Sequence, residues 1–265
     1  MFFGFCAIGA CLGFALLCFT PMENGLPIRA KYPLNTTVSP WHEISFFVET
    51  CAVSGGLLGI IVMDSMTTFK CSLITMLLDA LNVNFENCNY ETKQTNIYKE
   101  KRNNNNRFLD RYKKCVQFHQ RLVIISKDYN EIYNLSMFVQ MLSSTSIICL
   151  TGFQAVVVGG QSSNIMKYGI YLSAAMSQLF YICWLGNELC YASSMLDKSQ
   201  WFSGWQHERL TDIAQVFTLS TVFTRKSIIL RASVFYILSL ETFIVIIKRS
   251  YSFFTLLNNM DLTDH

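Results

Sequence analysis

Four carboxylates sit where carboxylates are costly. Glu49, Asp64, Glu188 and Glu241 lie within or beside long apolar runs, and a charge at the centre of a bilayer costs about 3 kcal/mol. Groups in such places conduct ions, carry protons, or tie helices together by hydrogen bonds. Asp64, Glu188 and Glu49 fall near the ends of their runs, within reach of water, and read as structural. Glu241 lies deeper in the last run and reads as an interhelical hydrogen-bond partner. The ten cysteines include no Cys-x-x-Cys, and His42, His119, His207 and His265 pair with none of them at ligand spacing. The cysteines therefore read as small reduced hydrophobes, not as a metal site. A phosphate-cradling glycine loop, a His-Glu-x-x-His motif and a nucleophile-base pair are all missing, so the sequence implies neither an enzyme nor a cofactor.

The elements that must hold these residues are helices in an apolar solvent. Hydrophobic residues are 51% of the chain and charged ones 15%, where a soluble domain carries about 25% charge. Five runs are long enough to cross a bilayer, which takes ~20 apolar residues. They span about 2–19, 44–66, 135–160, 165–191 and 232–257, and predict an all-α, polytopic membrane bundle in one domain, 1–265. The first run lacks a basic flank and a small-x-small cleavage site, so it is expected to be a helix rather than a signal peptide. From Arg107 to Asn134, apolar residues recur at helical spacing (Leu109, Tyr112, Val116, Leu122, Ile125) and predict a helix running into the third run.

Charge sets the orientation. The connection 67–134 holds eleven Lys or Arg and the connection 192–231 holds five. The positive-inside rule makes both cytoplasmic and puts the C-terminus and the loop 20–43 outside. Asn35-Thr36-Thr37, an N-glycosylation sequon, falls in that outer loop, the side on which Asn35 is usable. All four prolines are in the same loop, so none kinks a span. Asp-Arg-Tyr and Asn-Pro-x-x-Tyr are missing, and an outside C-terminus cannot meet a G protein, so no G-protein partner is expected. The net charge of +3 argues for no nucleic-acid partner.

The letters of the last run are more specific than its hydropathy. Ser239-Leu240-Glu241-Thr242-Phe243 and Ser250-Tyr251-Ser252-Phe253-Phe254-Thr255-Leu256-Leu257 closely resemble the closing helix of the insect odorant receptor family. Lys31-Tyr32-Pro33-Leu34, Ser39-Pro40-Trp41-His42-Glu43-Ile44, Phe153-Gln154, Gly186-Asn187-Glu188-Leu189 and Trp201-Phe202-Ser203-Gly204-Trp205 are similar to earlier parts of it. The related gustatory receptors, the alternative, carry a Thr-Tyr run ending in Gln-Phe near the end, which this chain lacks. On this alignment 2–19 is the family's third helix, so five of its seven helices are present. A truncated receptor without channel function is therefore a further reading.

The resemblance implies a subunit of an odorant-gated, non-selective cation channel. Its partners would be the odorant co-receptor, in a heterotetramer, a small volatile odorant and membrane lipid. It would lie in the plasma membrane of olfactory sensory neurons, multi-pass, with its C-terminus extracellular. The family's odorant pocket, projected onto these helices, takes Phe14, Leu17 and Cys18, then Phe47, Cys51 and Ser54, then Tyr168, Tyr171 and Leu172. The pore constriction falls at Leu256 and Met260, with Asn258 and Asn259 as polar lining. Trp201, Trp205 and Phe217 are expected at a cytoplasmic interface between subunits.

Overall fold

The computed structural model describes residues 40–89, 101–157 and 162–263. Its helices are α1 (Trp41–Glu86), α2 (Lys101–Val157), α3 (Ser162–Trp201), α4 (Leu210–Thr224) and α5 (Leu240–Thr263). A 3-10 turn, Trp205–His207, precedes α4, and two short strands, β1 (Arg231–Ala232) and β2 (Tyr236–Ile237), precede α5. The chain divides into two compact units, Met1–Phe69 and Lys70–His265, with the boundary inside α1.

In the first unit, α1 turns apolar side chains outward, among them Ile44, Phe47, Val48, Leu58, Ile60 and Met63. Its most apolar stretch is only 6% buried, and that of the helix Arg107–Gln154 is 22% buried. A soluble core helix of such composition would be mostly buried. Outward apolar surface on this scale calls for lipid or a partner. These two helices alone, among the described residues, combine the length and the apolarity for a crossing. The run 165–191 lies on α3, and of the run 232–257 only residues 240–257 lie on α5.

The second unit is built on seams of 3.5-residue period. On α1 the buried positions are Cys71, Ile74, Leu78, Leu81 and Phe85. On α2 they run from Phe108 and Tyr112 through His119, Leu122, Ser126 and Tyr129 to Met137, Met141, Ser144 and Ile148. Alternating steps of three and four residues keep one face of a long helix turned to its neighbours. The helix expected from Arg107 thus continues without a break into the third apolar run. Of the positions that predicted it, Tyr112 and Leu122 are buried, Leu109 and Val116 half-buried, and Ile125 faces out. α2 packs most extensively along α3 and next along α5.

Polar links join these helices. Asn82 Nδ2 donates to the Ala192 carbonyl at 3.0 Å, and Ser199 Oγ donates to Glu86 Oε1 at 3.1 Å. Lys70 Nζ donates to the Tyr133 hydroxyl at 2.7 Å. The connection 192–231 is largely helical, through the end of α3 and α4. Gly204 turns the chain between them at φ 82°, a left-handed conformation that favours glycine, with the Asn89 side chain lying against it.

The last span needs a correction. Helix was expected from position 232, but residues 231–237 form an antiparallel hairpin, Arg231 opposite Ile237 and Ala232 opposite Tyr236, and α5 begins at Leu240. The reason lies about a hundred residues upstream. Asn130 Oδ1 accepts from the Arg231 N–H at 2.7 Å, and Asn134 Oδ1 accepts from the Ser233 N–H. Two asparagines one helical turn apart on α2 thus take backbone donors that a helix would have used internally.

Candidate functional site

α5 starts with a built cap. Ser239 Oγ accepts the Thr242 N–H at 3.2 Å, which satisfies one of the free donors of a helix's first turn. Thr242 Oγ1 donates to the Ile237 carbonyl at 2.6 Å and fastens the helix to β2. Glu241 therefore lies in the first turn of α5, where a carboxylate offsets the helix dipole. It is exposed and not held between helices, which corrects the reading of it as an interhelical hydrogen-bond partner.

From there the helix has two unlike faces. Ile246 and Ser250 are buried, and Phe243, Ile247 and Phe254 are half-buried. Phe243 meets Phe180 of α3 edge to face, with ring centres 5.4 Å apart. Phe254 approaches α2 at Gly152, where an added Cβ would sit in ordinary contact, 3.7 Å from the ring. The opposite face presents Glu241, Val245, Lys248, Ser252 and Leu256, all exposed. At 100° per residue these five fall within one stripe about 80° wide. A mixed polar and apolar stripe is unsuited to lipid and suited to water or another subunit.

Leu256 is 56% exposed on this stripe, and Asn258, Asn259 and Met260 belong to the last turns of the same helix. The pore positions thus share one helix. The pocket positions are not gathered in that way. Phe14, Leu17, Cys18 and the sequon residue Asn35 lie outside the described residues. In the first unit Phe47 and Cys51 are exposed and Ser54 is half-buried. The Ser54 hydroxyl bonds to the Thr50 carbonyl of its own helix at 2.7 Å, so its donor is already in use. In the second unit Tyr168, Tyr171 and Leu172 are half-buried on the early turns of α3, and Leu172 packs against the core.

Around the α3–α4 junction an aromatic chain links Trp201, Trp205, Phe217 and Tyr112, with ring centres 5.4, 4.9 and 6.0 Å apart. Trp205 and Phe217 are half-buried within the chain, while Trp201 and Phe202 are 60% and 68% exposed. Burial pushes the Tyr112 phenol up to about 12. Two features here escaped the sequence reading. Gln200, fully buried, donates to Ser220 Oγ at 2.9 Å and accepts from Thr224 Oγ1 at 3.3 Å. Gly186 lies against Leu238 so closely that a Cβ would clash with its backbone and side chain. The Gly-Asn-Glu-Leu motif carried the second signal; nothing local carried the first.

The family model described as 7tm Odorant receptor matches residues 1–251. Odorant receptor Or1 of Anopheles gambiae is 30% identical over 152 residues, 56% of this chain and 36% of that protein. Odorant receptor 85c of Drosophila melanogaster is 32% identical over 160 residues, 59% of this chain and 39% of that protein. The match thus spans less than half the length of these relatives. Among solved structures, the olfactory receptor OR5 of Machilis hrabei in complex with eugenol superimposes with a TM-score of 0.72 at 15% identity. That match covers 98% of this chain and 67% of that one. The same receptor described without a ligand gives a TM-score of 0.65 at 14% identity, covering 97% and 66%. At such identities the likeness speaks for the fold.

Proposed function

The chain belongs to the odorant receptor family, which comprises multi-pass membrane receptors and not enzymes, and on that premise we propose that it is a subunit of an odorant-gated, non-selective cation channel. The observation that carries this reading is the two-faced α5. One face is packed against α2 and α3, and the other offers Glu241, Lys248, Ser252 and Leu256 to whatever lies beyond the chain. One helix cannot enclose a conduction path; copies of this stripe around an axis can. Leu256, with Met260 one turn on, would form an apolar constriction that gates by dewetting, and Asn258 and Asn259 a polar lining with little selectivity among cations.

The remaining copies in the ring would include the odorant co-receptor, with exposed Trp201 and Phe202 available at the contact between subunits. Phe14, Leu17, Cys18, Phe47, Cys51, Ser54, Tyr168, Tyr171 and Leu172 would form an apolar pocket that holds a small volatile by shape and dispersion. An odorant that binds the open arrangement more tightly shifts the population toward it. The basic connections 67–134 and 192–231 would face the cytoplasm of an olfactory neuron, and the C-terminus and Asn35 the outside.

The test is electrophysiological. The chain, extended to whatever full reading frame its transcript carries, is expressed with the co-receptor and challenged with a panel of volatiles. An evoked cation current is expected. Surface expression of both subunits with no current for any volatile would overturn the reading. Current without the co-receptor would favour the gustatory type of channel.

A further inference from the structure

An open cavity of about 560 Å³ lies between the end of α1 and the start of α2, and its described lining includes no residue of the closing helix. That volume is within the range of small-molecule sites, about 300–1,000 Å³. Arg111, Lys114 and Arg121 of α2 line it, together with the amides Asn84, Asn87 and Gln117 and the apolar side chains Leu81 and Phe118. No carboxylate is among its described lining residues. The cations recur at near-turn intervals on one face of α2 and span about 15 Å of helix. A single phosphate cannot engage all three, whereas a molecule bearing several can. Arginine forks bind phosphate oxygens in bidentate fashion, and amides supply further donors.

We propose that this cavity is a binding site for a small, multiply phosphorylated molecule on the cytoplasmic side of the protein. Helix rise favours a soluble ligand over a lipid headgroup. Leu81 is fifteen residues beyond the span 44–66 and Arg121 fourteen before the span 135–160, which is about 20 Å of helix on each side. A phosphate in the headgroup layer would not reach that depth. Phe118, half-buried, gives the cavity an apolar wall against which a ring can lie while its phosphates meet the cations.

The test uses the purified full chain in detergent or nanodiscs at physiological salt, with three probes: inositol hexakisphosphate, ATP, and vesicles of phosphatidylcholine containing phosphatidylinositol bisphosphate. Saturable binding of a soluble probe is expected. The triple variant Arg111→Gln/Lys114→Gln/Arg121→Gln should weaken it by roughly 100-fold or more, since each lost charged hydrogen bond costs about tenfold. A charge-matched variant, Arg107→Gln/Lys113→Gln/Lys127→Gln, changes exposed residues of α2 outside the cavity and should leave binding within about twofold. Should the first triple variant not fold, Arg121→Gln alone, at an exposed position, should still cost about tenfold. Equal loss in the two triple variants would mean diffuse attraction to a basic surface and would overturn the site. So would binding of none of the probes, or binding of the vesicles alone.

Discussion

At the α3–α4 junction the buried Gln200 is answered from within the chain, although the Tyr112 hydroxyl, Ser203 Oγ and Trp205 Nε1 are buried without a hydrogen bond, while on the outer stripe of α5 the polar groups point away from the chain. Gln200 is fully buried and bonded to Ser220 and Thr224, and Tyr112 is enclosed by Phe85, Phe108 and Phe217. Glu241, Lys248 and Ser252 are exposed. Both regions lie in the same unit. The difference is burial: Gln200 needs its partners inside the chain, because a buried polar group left unpaired costs about 1–3 kcal/mol. A stripe that can rely on water or on another subunit is free of that demand. The junction is thus closed by its own packing, and the stripe is left open to water or to a neighbour.

Substitutions can break or sharpen this contrast. The largest expected effect is at the junction: Tyr112→Ala removes a fully buried ring with three aromatic neighbours and should destabilise the protein by about 3–5 kcal/mol. Denaturant unfolding in detergent would measure it. A loss below 1 kcal/mol would mean that the junction is looser than its packing implies.

Gly186→Ala comes next. Its Cβ would meet the backbone of Leu238, which cannot swing aside as a side-chain tip can, so a cost of roughly 1–3 kcal/mol is expected. Unchanged unfolding and surface expression would show that the hairpin shifts freely against α3.

Acid should separate the regions as well. His119 is buried on α2, and burial lowers its pKa from the usual 6.5 by disfavouring the charged ring. Above pH 6.5 both folded and unfolded forms are neutral at this site, and stability is complete. As the pH falls below 6.5 the unfolded chain takes up a proton first, so stability declines until the folded form protonates too. His119→Gln should flatten that part of the profile; a decline of unchanged slope would assign it to other groups.

The smallest thermodynamic effect belongs to the stripe. Leu256→Ala removes an exposed side chain and should change stability by less than about 0.5 kcal/mol. It should nonetheless alter basal or evoked current in cells carrying the co-receptor. A large loss of stability with normal currents would reverse the contrast drawn above.

Much of the architecture was legible because it is local. Long apolar runs must become helices in lipid, where backbone groups have no other partner. The letters of the closing run pointed to the family before any coordinate did, and the helix from Arg107 showed in spacing alone. The stripe on α5 is partly legible too: the family resemblance points to Leu256, but Glu241, a carboxylate in an apolar run, reads as tied to another helix. The hairpin at 231–237 was not legible, because Arg231-Ala232 and Tyr236-Ile237 look like the start of an apolar helix. Asn130 and Asn134 decide otherwise, through bonds spanning about a hundred residues of sequence.

By itself, then, the sequence determined the solvent of the chain, the helical period of its elements and the family to which it belongs. Those follow from composition, from spacing within one turn and from short strings of residues. Only the tertiary structure decided where the last helix begins, which face of it is left open, why position 186 is glycine, and that Arg111, Lys114 and Arg121 share a cavity with the end of α1. Each of these depends on which distant segments pack together, and packing partners are chosen by complementary shape and paired polar groups that no local pattern records.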